Sequence, residues 1–496
     1  MRLTLGNDYF EVRNGRTAPL YLDTTKLING HMLIVGSSGV GKSHTLKRLL
    51  REASESGAKV LFHVFDVHGD LDIPGASVVQ FSEQAPYGLN PLRVNPDPHF
   101  GGVRKCIQSF IRTVNQASTT ALGVKQEAVL RNLLHDVYRD FGFYADDPGT
   151  WAVNEYEVQL VGGGTDNRVY LEVPFAEKAQ AQALGARWDP AKKHWWVHTQ
   201  NYKGDVRRWA PAYKERTYPT LRDVADYCKR LHEERFLGSD QRAVRALGFM
   251  HRKAQALQRK MMEAMKNKHF DHGVDEDFEA ELELARQKAK EAYAEYVDAV
   301  QTGVELETLM KYDSADVLKS VMDRLQNLLA AGIFKTAAPP FDPQASVWRY
   351  KLNALSSEEK KMLVLFNLQE LFYKAVQRGE RSDVVEVVVL DELGTYTSNA
   401  DDDSGDGIIG VIAREARKFG LALWGAHQQP TGVPESLISS VGTKVILGID
   451  EMYWPQAVTR LRIETKLLEW IRPHKTMAVQ MKEKGALKNR WWWVQF

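Results

Sequence analysis

Short apolar runs that end abruptly in polar or glycine residues recur near the start of the chain. Residues 31–35 form one such run, which stops at the glycine-rich residues 36–41 and is followed by leucines at helical spacing. A second run, residues 60–65, comes after that helix. Strand, glycine loop, helix and strand in this order predict a βαβ unit, whose parallel strands bind ligands at their carboxyl ends.

The same alternation returns late in the chain. Residues 384–390 form a β-branched run that ends in two carboxylates, and the runs 421–426 and 445–448 follow. The pattern therefore predicts one α/β sheet into which the middle of the chain is inserted. Four segments result: residues 1–150 as the first part of the core, 151–216 as a small Trp-rich domain, 217–338 as a helical insertion, and 339–496 as the second part of the core.

The helical insertion contains a basic stretch, residues 252–268, followed by an acidic one, residues 276–283. We interpret the pair as a solvated helical hairpin whose charges compensate each other. The alternative is a basic helix that faces DNA or a partner subunit.

Composition narrows the class of protein. With 65 Lys and Arg against 64 Asp and Glu, the formal net charge is +1. A uniformly basic surface is thus excluded, and any nucleic acid would bind a confined groove or pore. The two cysteines, Cys106 and Cys228, are far apart, which excludes a Cys-rich zinc site and a disulfide scaffold. Without a leader pattern or a long apolar run, we expect a cytoplasmic protein with no membrane segment.

The glycine-rich loop carries the most specific chemistry. Residues 36–43 match G-x-x-x-x-G-K-[ST] in full, between a strand and an amphipathic helix. Such a loop turns its amides towards phosphates, while its lysine contacts the β- and γ-phosphates and its hydroxyl binds Mg²⁺. The motif predicts ATP and Mg²⁺ as cofactors, bound by Gly36, Ser37, Ser38, Gly39, Val40, Gly41, Lys42, Ser43 and His44.

Two carboxylates end the 384–390 run, where a nucleotide site needs acidic groups. We expect Asp391 to hold Mg²⁺ with Ser43, and Glu392 to act as general base for the attacking water. Gln428 follows the next strand and would bind the γ-phosphate or the water, a role also open to His427 or Gln429.

Arg414 and Arg417 lie on the helix before residues 421–426. Either could be a guanidinium that stabilises the transition state across a subunit interface, with Arg417 the first choice. The alternative is the ordinary preference of cations for a helix C-terminus.

Six pieces in this order resemble the HerA/FtsK superfamily of hexameric DNA-translocating ATPases, most closely the HerA-like helicases. They are residues 27–43, 65–70, 88–92, 389–392, 414–420 and 426–430. The resemblance implies a RecA-like P-loop NTPase core with a mostly parallel sheet, a homo-hexamer and double-stranded DNA as partner. It covers about half of the chain, roughly residues 20–120 and 340–496.

The chain departs from that family at two places. His427 replaces a common Ser, and Gln429 replaces a common basic residue, so nucleotide sensing there can differ. In addition, residues 169–197 resemble a small domain of unknown function, the DUF5710 type, which recurs in proteins of DNA metabolism. Its aromatic and basic side chains suit base stacking and phosphate contact, although a small Trp-rich core would give the same sequence.

Two functional hypotheses follow. In the first, ATP hydrolysis in a ring moves duplex DNA and serves a nuclease or similar effector, in DNA processing or antiphage defence. In the second, the chain is an ATP-switched scaffold that regulates a nuclease or SIR2-type effector without processive translocation. The consecutive tryptophans 491–493 also led us to expect that one face of the terminal strand contacts a partner, because strand residues alternate between faces.

Overall fold

The computed structural model describes residues 1–57, 59–153, 168–190, 193–198, 201–209, 217–232, 241–269, 276–299, 311–397, 407–487 and 489–495. The chain divides into two compact units. The first contains Met1–Asn90, Arg112–Thr119 and Ala331–Phe496, and the second contains Pro91–Ile111 and Thr120–Ala330.

The strands alternate with helices in both outer thirds of the chain. In chain order the strands are β1 (Arg2–Asp8), β2 (Pro19–Asp23), β3 (Met32–Gly36), β4 (Leu61–Asp66), β5 (Ser77–Gln80), β6 (Arg168–Leu171), β7 (Arg187–Asp189), β8 (His194–His198), β9 (Val347–Lys351), β10 (Arg381–Leu390), β11 (Phe419–His427), β12 (Thr443–Gly448), β13 (Thr476–Met481) and β14 (Trp491–Gln495). The helices are α1 (Tyr9–Arg13), α2 (Lys42–Glu55), α3 (Val103–Ala117), α4 (Val124–Asp140), α5 (Lys178–Ala183), α6 (Leu221–Leu231), α7 (Gln241–His269), α8 (Glu276–Ala299), α9 (Ala315–Ala330), α10 (Ser357–Arg378), α11 (Ile408–Glu415), α12 (Glu435–Ser440), α13 (Trp454–Leu461) and α14 (Thr465–Leu468).

The first unit is built on one large mixed sheet. In the described part of the chain it has eleven strands in the order β2-β1-β14-β13-β12-β3-β11-β10-β4-β9-β5. The seven strands from β12 to β5 run parallel, and β13, β14, β1 and β2 add antiparallel pairs on one side. The prediction of a mostly parallel α/β sheet assembled from both ends of the chain is thereby confirmed.

The core explains why these segments form these elements. All five residues of β3 are buried, as expected for a strand covered on both faces. The helix α2 turns its apolar stripe, with Leu46, Leu49 and Leu50, into the same core as alternate residues of the central strands. α10 starts at a capping box in which Ser356 and Glu359 bond each other's backbone N–H groups.

The terminal strand is an interior strand of the large sheet. β14 lies between β1 and β13, so both of its edges are paired within the sheet. Trp492 packs against the main core, Trp493 is buried, and Nε1 of Trp491 donates to the carbonyl of Arg462 at 3.1 Å. The tryptophans on both faces thus have contacts within the chain, and a partner at one face stays a prediction.

The second unit combines helices with a small antiparallel sheet of order β6-β8-β7. Its core includes Val169, Val197 and Trp209. The basic α7 and the acidic α8 pack against each other, and Lys260 pairs with Glu281, which confirms the helical hairpin. The glycines at 162–164 lie outside the described residues. Within the described segments, every helix is too short or too polar to cross a membrane.

Candidate functional site

The phosphate-binding loop joins β3 to α2 at the carboxyl edge of the parallel strands. Gly39 (φ 79°) and Gly41 (φ 101°) adopt left-handed backbone conformations that are strained for other residues. The loop is tied to the neighbouring strand, because the N–H of Ser37 donates to the carbonyl of Gly448 at 2.8 Å. Local sequence and sheet contacts together therefore fix the loop ahead of any ligand.

Lys42 begins α2 and folds back over the loop. Its Nζ donates to the carbonyl oxygens of Gly36 at 2.8 Å and Ser37 at 3.0 Å. Burial lowers the pKa of Lys42, and the charges of Glu392 and Asp391 act in the opposite direction. The lysine therefore shares an electrostatic environment with the two carboxylates that end β10, although β11 lies between β10 and β3.

Asp391 lies in a group of carboxylates that the sequence analysis did not predict as a group. One carboxylate oxygen from each of Asp66, Asp70 and Asp391 lies within 4.8 Å of the others. Burial raises the pKa of Asp391, and the charges of Asp70, Asp66 and Glu392 add to this effect against a lowering by His68, so that the pKa reaches about 6.

These residues fit a divalent cation. Three clustered carboxylates, with the pKa of Asp391 raised, are a site where bound positive charge would stabilise the ionised form. Asp66 is the least available of the three, because its oxygens already accept bonds from Arg349 Nε at 2.8 Å and Gly69 N–H at 2.7 Å. Asp391 and the exposed Asp70 are the better ligands, and Ser43 lies in the first turn of α2.

Glu392 is held at both carboxylate oxygens. His427 Nδ1 lies 2.8 Å from Oε1, and Gln428 Nε2 donates to Oε2 at 3.1 Å. Burial would raise the pKa of Glu392, but these two hydrogen bonds and the charges of His427 and Lys42 outweigh it and lower the pKa. Glu392 is thus an ionised carboxylate, as a general base must be.

The ring of His427 occupies a slot that only glycines leave open. A Cβ atom on either Gly394 or Gly432 would lie 2.1 Å from an atom of that ring. The departure from the family's usual Ser at this position therefore places an imidazole directly on the predicted base. Gln428, predicted to sense the γ-phosphate, bonds Glu392 in this structure.

Arg414 and Arg417 do not reach this group of residues. Both side chains are exposed, and they precede β11 at the amino edge of the sheet, opposite the phosphate loop. Burial lowers the pKa of His31, the residue before β3, to about 4, and the charge of Arg417 contributes. A role for either arginine across a subunit interface stays a prediction.

Asp66 and Asp70 are the functional candidates that the sequence argument missed. The signal was present, because residues 65–70 were among the pieces that carried the family resemblance. Asp66 ends β4 and Asp70 follows it, and β4 pairs with β10 in parallel register, with Phe65 opposite Leu390. That pairing places the carboxylates at the ends of the two strands side by side.

Comparisons with known proteins agree with this arrangement. Residues 10–101 match the family described as Helicase HerA, central domain, and residues 168–211 match a domain of unknown function, DUF5710. The DNA double-strand break repair helicase HerA of Pyrococcus furiosus is 35% identical over 63 residues, which are 13% of this chain and 11% of that protein. DNA primase TraC of Escherichia coli is 43% identical over 44 residues, 9% of this chain and 4% of that protein.

The curated matches thus span only a small part of each relative. A solved structure, VirB4 of Thermoanaerobacter pseudethanolicus, has a TM-score of 0.55 and 14% identity, and the match covers 100% of this chain and 95% of that one. It shows the fold.

The phosphate loop joins β3 to α2, and Asp391 and Glu392 follow β10, which is separated from β3 by β11. This arrangement defines a P-loop NTPase of RecA-like fold. Residues 10–101, the part of the chain that contains this loop, are similar to the central domain of HerA helicases.

Proposed function

We propose that this protein binds ATP with Mg²⁺ and hydrolyses the bond that joins its β- and γ-phosphates. The observation that carries the proposal is the convergence of Lys42, Asp391 and Glu392 at one edge of the sheet. Lys42 would leave its carbonyl partners in the loop and contact the β- and γ-phosphates. Ser43 and Asp391, with Asp70, would hold Mg²⁺, which when bound neutralises charge on the phosphates.

Glu392 would take the proton of the attacking water. His427 keeps one of its oxygens in a fixed position, so that the base does not need to reorganise during the reaction. Gln428 would exchange its bond to Glu392 for one to the γ-phosphate, which frees the second oxygen, Oε2, for the water. In this scheme, binding of the triphosphate is the step that frees Glu392 to act as general base.

We further propose a homo-hexameric ring that translocates double-stranded DNA for a nuclease or other effector. The similarity to a DNA double-strand break repair helicase of Pyrococcus furiosus supports a DNA substrate. The position of Arg417 and Arg414 at the amino edge supports a ring, because a guanidinium there could serve only the site of a neighbouring subunit.

The first test is ATP hydrolysis by Lys42→Ala, with Lys47→Ala on the same helix as control. Loss of the phosphate-facing charge should abolish turnover by Lys42→Ala and leave Lys47→Ala active. Wild-type turnover by Lys42→Ala would refute the nucleotide site itself.

A second measurement separates the motor from the ATP-switched scaffold. Severalfold stimulation of ATP hydrolysis by duplex DNA supports the translocase. Stimulation only by a protein that co-purifies with the chain, such as a nuclease or SIR2-type effector, supports the scaffold instead.

A further inference from the structure

The turn of residues 472–475 lies beside the phosphate loop, although no motif marks it. β13 runs antiparallel to β12, with Ala478 opposite Ile446, so β13 begins where β12 ends. The end of β12 is the carboxyl edge, because β12 and β3 run parallel. The turn that precedes β13 is therefore brought to the same edge as the loop that follows β3.

Hydrogen bonds hold this turn in one conformation. The carbonyl of Arg472 accepts the N–H groups of Lys475 at 3.0 Å and Thr476 at 2.9 Å. The hydroxyl of Thr476 accepts the N–H of Arg472 and donates to the carbonyl of Trp470. The turn is thus fixed to the start of β13.

Pro473 and the phosphate loop share an anchor. A Cβ atom on Gly448 would lie 3.3 Å from Pro473 Cγ and 3.3 Å from Val40 Cγ1. The carbonyl of the same Gly448 accepts the N–H of Ser37. The turn and the loop are consequently positioned against each other by the end of β12.

His474 occupies the tip of the turn in a left-handed conformation, with φ of 62°. Few residues other than glycine adopt this conformation, and asparagine, aspartate and histidine are the most frequent among them. A Cβ atom on Gly41 would lie 3.5 Å from Nδ1 of His474, and among the described residues only His474, apart from the immediate neighbours of Gly41, comes within 4 Å of that Cβ position. The imidazole therefore faces the open side of the loop glycine that precedes Lys42.

We propose that His474 is a phosphate ligand of the nucleotide, supplied by the same subunit as the loop and flanked by the cations Arg472 and Lys475. The proposal rests on the proposed nucleotide site. An imidazole N–H can donate to phosphate oxygens as the loop amides do. The exposed Arg472 and Lys475, which form no ion pair among the described residues, add positive potential at the entrance.

The test is isothermal titration of ATP, ADP and inorganic tripolyphosphate into wild type, His474→Gly and His474→Asn. Glycine suits the left-handed backbone and removes the ring, whereas asparagine also suits it and keeps an N–H donor. His474→Gly should bind all three probes about tenfold more weakly, the scale of one hydrogen bond to a charged group. His474→Asn should stay within about threefold of wild type because its donor replaces the imidazole N–H.

Arg462→Gly is the matched control. Arg462 is a second basic residue with positive φ, 56°, but it lies near Lys444 at the other end of β12. The substitution Arg462→Gly should relieve the same kind of backbone strain without changing the affinity for ATP, ADP or tripolyphosphate. His474→Gly should also melt no lower than wild type in the absence of nucleotide, which shows that its weaker binding is not a folding defect.

Three results would overturn the proposal: unchanged affinity of His474→Gly, equal losses in His474→Gly and His474→Asn, or a loss confined to ATP and ADP. The last would place the contact on the nucleoside and not on phosphate. Lys42→Ala separates this failure from failure of the proposed function. If Lys42→Ala loses tripolyphosphate binding while both His474 variants bind normally, the nucleotide site stands and the role of His474 is wrong.

Discussion

Each edge of the large sheet holds a buried ionisable group with a displaced pKa, an acid at the carboxyl edge and a base at the amino edge. At the carboxyl edge, the carboxylates of Asp66, Asp70 and Asp391 crowd together, and the pKa of Asp391 is raised to about 6 as a result of burial and of its acidic neighbours. At the amino edge, burial and the charges of Lys482 and Arg462 lower the pKa of Lys444 to about 8. Arg414 and Arg417 lie at that same edge.

The contrast shows which charges can meet within one subunit. β3, which connects the two edges, has five residues and so spans roughly 16 Å at about 3.3 Å per residue. A guanidinium at the amino edge therefore cannot stabilise charge at the phosphate loop of its own chain. A head-to-tail ring joins unlike surfaces, so it could bring such a guanidinium to the phosphate loop of a neighbouring subunit.

The largest effect is expected from the amino edge. If Arg417 acts on a neighbouring site, Arg417→Ala should lower turnover by roughly 10³–10⁵-fold, the range for such arginines. Mixing Arg417→Ala with Glu392→Gln subunits should restore part of the activity, because some interfaces then hold both intact groups. Steady-state ATP hydrolysis of the mixtures measures this.

Two further variants serve as controls in that experiment. Lys418→Ala removes a neighbouring exposed cation and should remain active, and Arg414→Ala tests the second choice. If co-assembled mixtures never exceed their parents, the amino edge does not complete the site and the comparison loses its functional meaning.

At the carboxyl edge, Glu392→Gln should bind ATP normally and hydrolyse it at least ~10²-fold more slowly, the scale of a positioned general base. Binding is measured by titration and turnover by phosphate release. Glu451→Gln, an exposed carboxylate just beyond β12, should behave as wild type. Loss of binding with normal residual turnover would mean that Glu392 and Asp391 have exchanged roles.

A smaller effect is expected at His427, which fixes one oxygen of Glu392. His427→Ser should lower kcat about tenfold, with little change in KM, because one hydrogen bond to a charged group is lost. His427→Asn retains a donor, so its kcat should lie between those of wild type and His427→Ser. Equal kcat in all three proteins would show that the slot between Gly394 and Gly432 serves packing alone.

The last prediction concerns stability and not turnover. The pKa of Asp391 rises from about 3.9 in an unfolded chain to about 6 in the fold, so the folded state binds the proton more tightly. The stabilisation that this tighter proton binding gives the folded state is complete below pH ~3.9 and is lost as the pH rises through 6. At pH 7.5 the loss amounts to about 3 kcal/mol. Asp391→Asn should therefore melt above wild type at pH 7.5 without Mg²⁺.

The difference in melting temperature should shrink towards pH 5, and Mg²⁺ should stabilise wild type more than the variant. Asp383→Asn, an exposed carboxylate on the same strand, should show neither effect. A lower melting temperature for Asp391→Asn at every pH would show that the carboxylate is satisfied without a cation.

Sequence patterns predicted the parts of the site that are local in the chain. A buried strand, a glycine loop and a helix follow one another within residues 31–50, and Asp391 ends an unbroken apolar run. Asp70 and His474 were missed because their positions depend on strand order. Asp70 joins Asp391 only through the pairing of β4 with β10, and His474 joins the loop only because β13 reverses beside β12.

The place of the terminal tryptophans in the sheet could not be predicted for the same reason. Alternation along β14 indicates two faces, but it does not tell which strands pair with its edges. One of these strands is β1, which comes from the opposite end of the sequence and places Asn7 opposite Gln495. Contacts at such separation leave no local pattern in either segment.

That pairing also constrains the order in which the protein folds. β14 separates the β1–β2 hairpin from the rest of the sheet, so the hairpin has no strand to join until residues 491–495 have left the ribosome. During synthesis the free edge of β1 must wait for its permanent partner, although its apolar face can already pack against α2, and closing so long a loop is slow. Chaperone dependence in the cell and aggregation on truncation before residue 491 are the consequences to be expected from this single interior strand.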